Sequence, residues 1–420
     1  MLFLANSLLT NGTTTFLNRL ACERYIVTGN KIDILILNDQ VDPNIEAKLK
    51  KVASIYHLND LLKYKHHRLV KNSISNLLPT HEGTIRSLLE RNNNSVHVMG
   101  CFGLLFIQNL INKLSLELSV TVGIYHQNEF MYREQDYYFQ KKIKEILKVL
   151  PEENFIFFNE YNVISYSRYL KRNLDKSVIT PIGINRGTTI KKTTINERLN
   201  ICSIGNLNNF KTYNINMLYV VKKLVSHDVN VTYDIYGEGE LNEKIQWLIK
   251  ELSLQDHVKV HSNIEYNQLR TTISNYDVFV GSGTAVLEAA SVGIPSIIGI
   301  ESVSQDVTYG FLSDICGFSY NEWDPTRVTK TMFDCILSLT DVGFRYRIGR
   351  KCLEKSKEFT IDKTYCSFFS PALPYQRVPK LEFSALKVIG SMFKCAFDEN
   401  ILRQKSFSNR REQGDISNEV

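Results

Sequence analysis

The sequence predicts an α/β protein of two successive domains, each built on a mainly parallel sheet. Three observations predict it. The chain has 420 residues, 43% apolar and 22% charged, enough for two separate cores. Short apolar runs rich in β-branched residues alternate with segments of helical periodicity along its length. The alternation restarts after a polar stretch, 186–197 (RGTTIKKTTINE), with the composition of a linker.

The first half opens on a strand at 2–5, then a loop over 6–15 containing Asn11-Gly12-Thr13, then a helix through Phe16, Leu17 and Leu20. Residues 31–37 (KIDILIL) form the next strand and close a βαβ unit, which implies parallel pairing. The loop is not GxGxxG, which argues against a dinucleotide site. A helix over 45–52 and a strand over 54–57 follow. Residues 95–99 and 120–125 read as buried strands flanking a helix over 102–116. The second of these strands delivers His126-Gln127-Asn128-Glu129 at its carboxyl end, where open α/β sheets bind ligands. A histidine there either polarises a ligand or sits buried in hydrogen bonds. A helix over 136–150, strands at 154–158 and 178–180 and a helix over 161–173 complete this half, before Pro181-Ile182-Gly183-Ile184-Asn185 breaks the pattern.

The second half places strands at 200–204, 229–235 and 258–261, with helices over 216–224, 241–252 and 266–273. Gly205-Asn206 and Lys211 follow the first strand; Gly237-Glu238-Gly239 follow the second; Asn263 follows the third. Residues 277–299 (DVFVGSGTAVLEAASVGIPSIIG) then read as strand, small-residue loop, helix and strand. Such a loop offers backbone N–H groups and a helix N-terminus to an anion. Any parallel crossover needs a similar turn, so these residues alone leave both readings open. Segments 303–307 and 312–320 and helices over 325–339 and 341–359 come next.

Net charge is +6, mild for this length; it permits a nucleotide or an anionic membrane surface as partner and gives no sign of nucleic-acid binding. Eight scattered cysteines without a CxxC pair read as thiols of a cytoplasmic protein. The N-terminus lacks a basic region and reads as a strand, not a signal peptide, and no apolar run reads as a membrane span. The expected location is cytoplasmic, soluble or peripheral at the inner face of the cell membrane. Two basic stretches bear on that choice. Residues 63–71 (KYKHHRLVK) form either a solvated face or a contact with an anionic surface. Within 380–397, Leu386, Ile389, Phe393 and Phe397 repeat at helical spacing among Lys380, Lys387 and Lys394, which suits packing on the first domain or peripheral membrane attachment. Residues 405–420 are polar and read as a disordered tail.

Four ordered blocks carry a family resemblance: ICSIGNLNNFK (201–211), DIYGEGEL (234–241), VKVHSNIEYNQLRTTISNYDVFV (258–280) and GSGTAVLEAASVGIPSIIG (281–299). Together they resemble the C-terminal domain of GT-B-fold glycosyltransferases, particularly the retaining group numbered family 4 and its bacterial surface-polysaccharide members. The resemblance implies two Rossmann-like domains facing each other across a cleft, with the last helices crossing back. Residues 1–187 would bind the acceptor, 188–359 would bind the nucleotide sugar, and helices at about 360–404 would rejoin the first domain.

The resemblance also implies roles. Lys211 matches the lysine that meets the diphosphate, Glu288 the ribose-binding glutamate and His126 the histidine near the transferred sugar. Thr284 and Ala285 would give N–H groups to the diphosphate, with Gly12, Thr13, Gly205, Asn206, Gly237, Glu238, Asn263, Ser282 and Gly283 lining the donor. Two positions depart from the family: Asn206 stands where an arginine is usual, and Val280 replaces the first glutamate of its E-x7-E motif. The chain has no Asp-x-Asp metal motif, so Lys211 and a helix N-terminus are expected to act without metal or cofactor. The expected activity is transfer of a hexosyl or N-acetylhexosaminyl group from a nucleotide-diphosphate sugar, UDP-linked, to a glycan or lipid-linked acceptor in O-antigen, capsule or exopolysaccharide assembly. The alternatives are a nucleotide-sugar 2-epimerase, with Glu129 and Glu238 as its carboxylates, and a non-catalytic partner subunit of the same fold.

Overall fold

A computed structural model describes residues 1–9, 11–64, 73–133, 137–187, 198–369, 376–404, 407, 410 and 415–418. The chain divides into two units, one of residues 1–180 with 364–420, the other of 181–363. The first expected division, after residue 187, lies within the second unit. There Ile184 donates to Phe359 O (2.9 Å) and accepts from Ile361 N (2.9 Å), so the segment is paired as an edge of that unit.

Seven parallel strands form the sheet of the first unit: β1 (Leu2–Ala5), β2 (Ile32–Ile36), β3 (Ala53–His57), β4 (Ser95–Val98), β5 (Ser119–Ile124), β6 (Phe155–Phe157) and β7 (Val178–Ile179). Their order is β3-β2-β1-β4-β5-β6-β7. The central strands read as continuous apolar runs because helices cover both faces. Those helices are α1 (Gly12–Thr28), α2 (Pro43–Leu49), α3 (Leu58–Leu61), α4 (Glu82–Arg91), α5 (Cys101–Leu114), α6 (Tyr138–Val149) and α7 (Glu160–Leu170). Helix α1 starts earlier than its sequence suggests, because the Asn11 side chain accepts the Thr14 N–H at 2.9 Å. Gly12 and Thr13 therefore sit in a helical first turn, not in a loop. Helix α4 is not among the expected elements; its buried Ile85, Leu88 and Leu89 follow helical spacing.

The second unit has a five-stranded parallel sheet: β8 (Leu199–Ile204), β9 (Val231–Tyr236), β10 (Val258–His261), β11 (Val278–Gly281) and β12 (Ser296–Ile298), ordered β10-β9-β8-β11-β12. Helices α8 (Tyr213–Ser226), α9 (Asn242–Glu251), α10 (Leu269–Ile273) and α11 (Gly283–Ala290) connect these strands. A small antiparallel pair, β13 (Val307–Thr308) and β14 (Lys330–Thr331), follows. Residues 312–320 hold a 3-10 turn at Leu312–Asp314. The helix expected over 325–339 is confined to α12 (Met332–Ser338), its Thr331 side chain capping Asp334 N. Helix α13 (Val342–Ser356) closes the unit.

Helices α14 (Ile361–Phe369) and α15 (Ala385–Asn400) carry the chain back to the first unit. Phe368 packs among Phe3, Phe16, His97 and Phe158, with ring centroids 4.9–6.4 Å apart. Helix α15 lies on α6 through Val388 and Cys395, and Ser391 accepts the Phe139 N–H at 3.0 Å. The apolar residues picked out by periodicity are mostly not the packed ones: Leu386, Phe393 and Phe397 are 82%, 56% and 54% exposed. The expectation of a disordered tail is corrected at the described residues. Phe407 stacks on Tyr132, Asp415 accepts from Tyr161 and Ser165 at 3.0 Å each, and Ile416 is buried. Apolar residues in a polar stretch supply the anchor. Of the basic stretch 63–71, residues 65–71 lie outside the described residues.

Candidate functional site

The strand order of the second unit changes direction between β8 and β11, and a crevice opens at the carboxyl ends of strands at such a point. The segments leaving β8 and β11 hold Gly205, Asn206 and Lys211 on one side and Ser282 and Gly283 on the other. The sequence that makes this a parallel sheet thus also brings the two loops together.

Lys211 sits in a turn, its N–H bonded to Asn208 O at 2.9 Å, and folds its ammonium over Gly205. A Cβ on Gly205 would stand 3.0 Å from the Lys211 Nζ. Asn206 is exposed. The loop after β9 runs against this segment as an extension of the sheet: Gly205 N donates to Tyr236 O and Leu207 N to Glu238 O, both at 2.9 Å. Gly237 has a packing reason of its own, since a Cβ would fall 2.1 Å from Gly205 O. Glu238 and Asn263 are exposed on neighbouring loops.

Gly283 adopts φ +63°, a left-handed conformation that favours glycine, as the chain turns into α11. Its N–H donates to Asn321 Oδ1 at 2.8 Å and its carbonyl accepts the Tyr320 hydroxyl at 3.2 Å. Ser282 Oγ donates to Glu301 Oε1 at 2.7 Å. Burial pushes the Glu301 carboxyl up, against the opposing pull of the Lys211 charge and the Ser282 bond. Thr284 and Ala285 are half-buried in the first turn of α11. The sequence reading missed Glu301, Asn321 and Tyr320. They belong to no motif, and the available signal was that Glu301 closely follows the carboxyl end of β12.

Glu288 faces another way. It is buried, accepts the Tyr266 hydroxyl at 2.5 Å and the Arg270 Nε at 2.6 Å, and so forms an ion pair. Arg270 donates further to the carbonyls of Arg186 (2.9 Å) and Asn185. The pair joins α11, α10 and the entering chain. A second polar cluster lies at the ends of β9 and β10: His261 and Tyr276 both bond Asp234 (2.9 and 2.8 Å), and Tyr236 stacks on His261. An open cavity of about 530 Å³ is lined by Asn209, Thr212, Asn216, Lys244 and Asp306, among others, and by none of the expected site residues.

In the first unit, His126 follows β5 half-buried, and its Nδ1 accepts the Asn128 N–H at 3.3 Å. Gly12 is exposed at the start of α1, with Thr13 beside it. The tail reaches the His126 loop: Asn128 donates to Arg410 O at 2.8 Å, and the Arg410 guanidinium lies 3.8 Å from the Glu129 carboxylate. His97 is buried between Thr121 (2.9 Å) and Tyr125 (2.8 Å), and burial pushes its pKa down to about 3, so it is neutral.

Residues 185–307 match the family described as glycosyl transferases group 1, a segment wholly inside the second unit. No protein of curated function matches the chain in sequence. Solved structures share its fold. A TarM variant from S. aureus, crystallised with fondaparinux, α-GlcNAc-glycerol and UDP, has a TM-score of 0.61 at 12% identity, covering 88% of this chain and 98% of that one. A glycosyltransferase from Rickettsia africae gives 0.58 at 12% identity, with coverage of 88% and 98%. Sucrose-phosphate synthase from Thermosynechococcus elongatus gives 0.57 at 12% identity, with coverage of 95% and 99%. The fold is that of the GT-B glycosyltransferases, with parallel sheets in two domains.

Proposed function

We propose that this chain transfers a glycosyl group from a nucleotide-diphosphate sugar, with UDP as the carrier, to a glycan or lipid-linked acceptor. One observation carries the reading: Lys211 and the Ser282–Gly283 loop meet at the switch point of the five-stranded sheet, inside the segment that matches group 1 glycosyl transferases. A diphosphate leaving group gains negative charge as the glycosidic bond breaks. The Lys211 ammonium and the N–H groups of Thr284 and Ala285 are the groups that stabilise it, and the first turn of α11 adds its dipole. UDP is preferred because a fold neighbour, TarM, was crystallised with it.

Other parts of the reading rest on the resemblance. His126 positions the sugar, Gly12 and Thr13 approach the donor, and Glu288 meets the ribose while holding Arg270. A hexosyl or N-acetylhexosaminyl donor and a reaction without metal belong to the same proposal. A place in surface-polysaccharide assembly has one supporting feature, the exposed apolar stripe of α15 beside Lys387 and Lys394, which suits a lipid-linked acceptor. Against the epimerase reading, one of its two carboxylates, Glu129, is buried beside Arg410.

The test is a binding titration with UDP and GDP, followed by a panel of UDP-sugars with lipid extract. The expected result is UDP binding, weakened about 10- to 100-fold in Lys211→Ala, with donor turnover lost in parallel. A wild-type chain that binds neither nucleotide would favour a non-catalytic partner subunit instead.

A further inference from the structure

Glu301 has a carboxylate with one oxygen committed and one not. Oε1 accepts the Ser282 hydroxyl at 2.7 Å, and Oε2 accepts no hydrogen bond among the described residues. The residue as a whole is half-buried. Its backbone is fixed by Glu301 N donating to Asn321 O at 3.0 Å, and the Asn321 side chain holds Gly283 N at 2.8 Å. Asn321 therefore holds both the loop and the Glu301 backbone, and Ser282 aims the carboxylate. Ser302 N donates to Phe210 O at 2.7 Å, which brings the segment carrying Glu301 against the turn that carries Lys211, yet no ion pair joins the two side chains among the described residues.

A cation and a carboxylate set side by side without closing on each other suit a ligand with two kinds of group. The anionic part goes to Lys211. The part beside Glu301 cannot be anionic, because like charges repel there, and must donate hydrogen bonds. A phosphate esterified to a sugar has that pattern: phosphate oxygens on one side of the ester bond, hydroxyl groups on the other. We propose that Glu301, steadied by Ser282, is the carboxylate that binds hydroxyl groups of the donor's sugar, and so selects the sugar where Lys211 selects the diphosphate. The proposal rests on the nucleotide-sugar reading above.

UDP carries the phosphates and the ribose but lacks the transferred sugar, so it separates the two roles. Affinities for UDP, UDP-glucose, UDP-galactose and UDP-N-acetylglucosamine are measured for the wild type, Glu301→Gln and Ser282→Ala, together with kcat and KM for the donor used best. Gln at 301 retains an oxygen for Ser282 but loses the charge. The expected result is UDP affinity within about twofold of wild type and a loss of about 10- to 100-fold in donor kcat/KM for E301Q, with a smaller loss of the same kind for S282A. Equal weakening of UDP and UDP-sugars, or no change in either, overturns the assignment of Glu301 while nucleotide binding by the wild type keeps the broader reading. If the wild type binds no nucleotide, both fall. Should E301Q fail to fold, S282A gives the same discrimination: UDP and UDP-sugars weakened together would overturn the proposal.

Discussion

Two glutamates near the same loop show how far a residue's role can be read from its neighbours in the chain. Glu288 is expected at the site from its place in the block 281–299 that resembles the family. Its structural commitment was not legible, because Tyr266 and Arg270 reach it from other elements. A buried carboxylate paired with a guanidinium is costly to break from one side, since the remaining charge loses its partner. Glu288→Ala is therefore expected to destabilise the second unit by about 3 kcal/mol and to lower its melting temperature by roughly 6–12 °C, as well as impair turnover. Thermal melting followed by fluorescence checks this; an unchanged midpoint would return Glu288 to a purely ligand-binding role. Glu301 has the opposite history. Its sequence neighbours say nothing, and only the strand order places it beside Ser282 and Lys211.

Strands were the most legible elements, because a strand covered on both faces is an uninterrupted apolar run, as in FIF of β6 and VFVG of β11. Helix ends were less legible, since caps such as Asn11 and Thr331 depend on side-chain geometry. Helix α15 shows why periodicity alone misleads. Its apolar residues recur at helical spacing, but the helix packs through Val388 and Cys395, leaving Leu386, Phe393, Phe397 and Ile401 outward. Lys387 and Lys394 flank that stripe and are exposed. An apolar stripe with basic neighbours suits an interface with anionic lipid. The expected behaviour is co-sedimentation with vesicles containing phosphatidylglycerol, much weaker with phosphatidylcholine alone, and reduced about tenfold or more in the double variant Phe393→Ser/Phe397→Ser. Equal sedimentation of the variant and the wild type would remove membrane contact from this helix.

At the scale of the whole molecule, the alternation of strands and helices predicts two α/β units, and the polar stretch 186–197 begins a few residues past the division at 180/181. What could not be read was how the tail is used, because a few anchors in a polar stretch (Phe407, Asp415 and Ile416) decide its packing. The first unit is discontinuous in sequence and the second is not. Ending the chain after residue 363 would strip Phe368, Val388, Cys395 and Ile416 from the first unit's core. Residues 181–363 alone are expected to melt cooperatively and bind UDP, whereas 1–363 is expected to show exposed apolar surface and aggregate. Calorimetry and dye binding on the two fragments check this, and a well-behaved 1–363 would show that the last helices are dispensable. The same discontinuity has a consequence during synthesis. The sheet of residues 1–180 leaves the ribosome well before its final helices exist, and at ordinary translation speeds it waits on the order of tens of seconds for them. Meanwhile the second unit emerges whole and is free to fold. The half of the protein made first is thus the half completed last, and its newborn apolar face is the place where a chaperone would be needed.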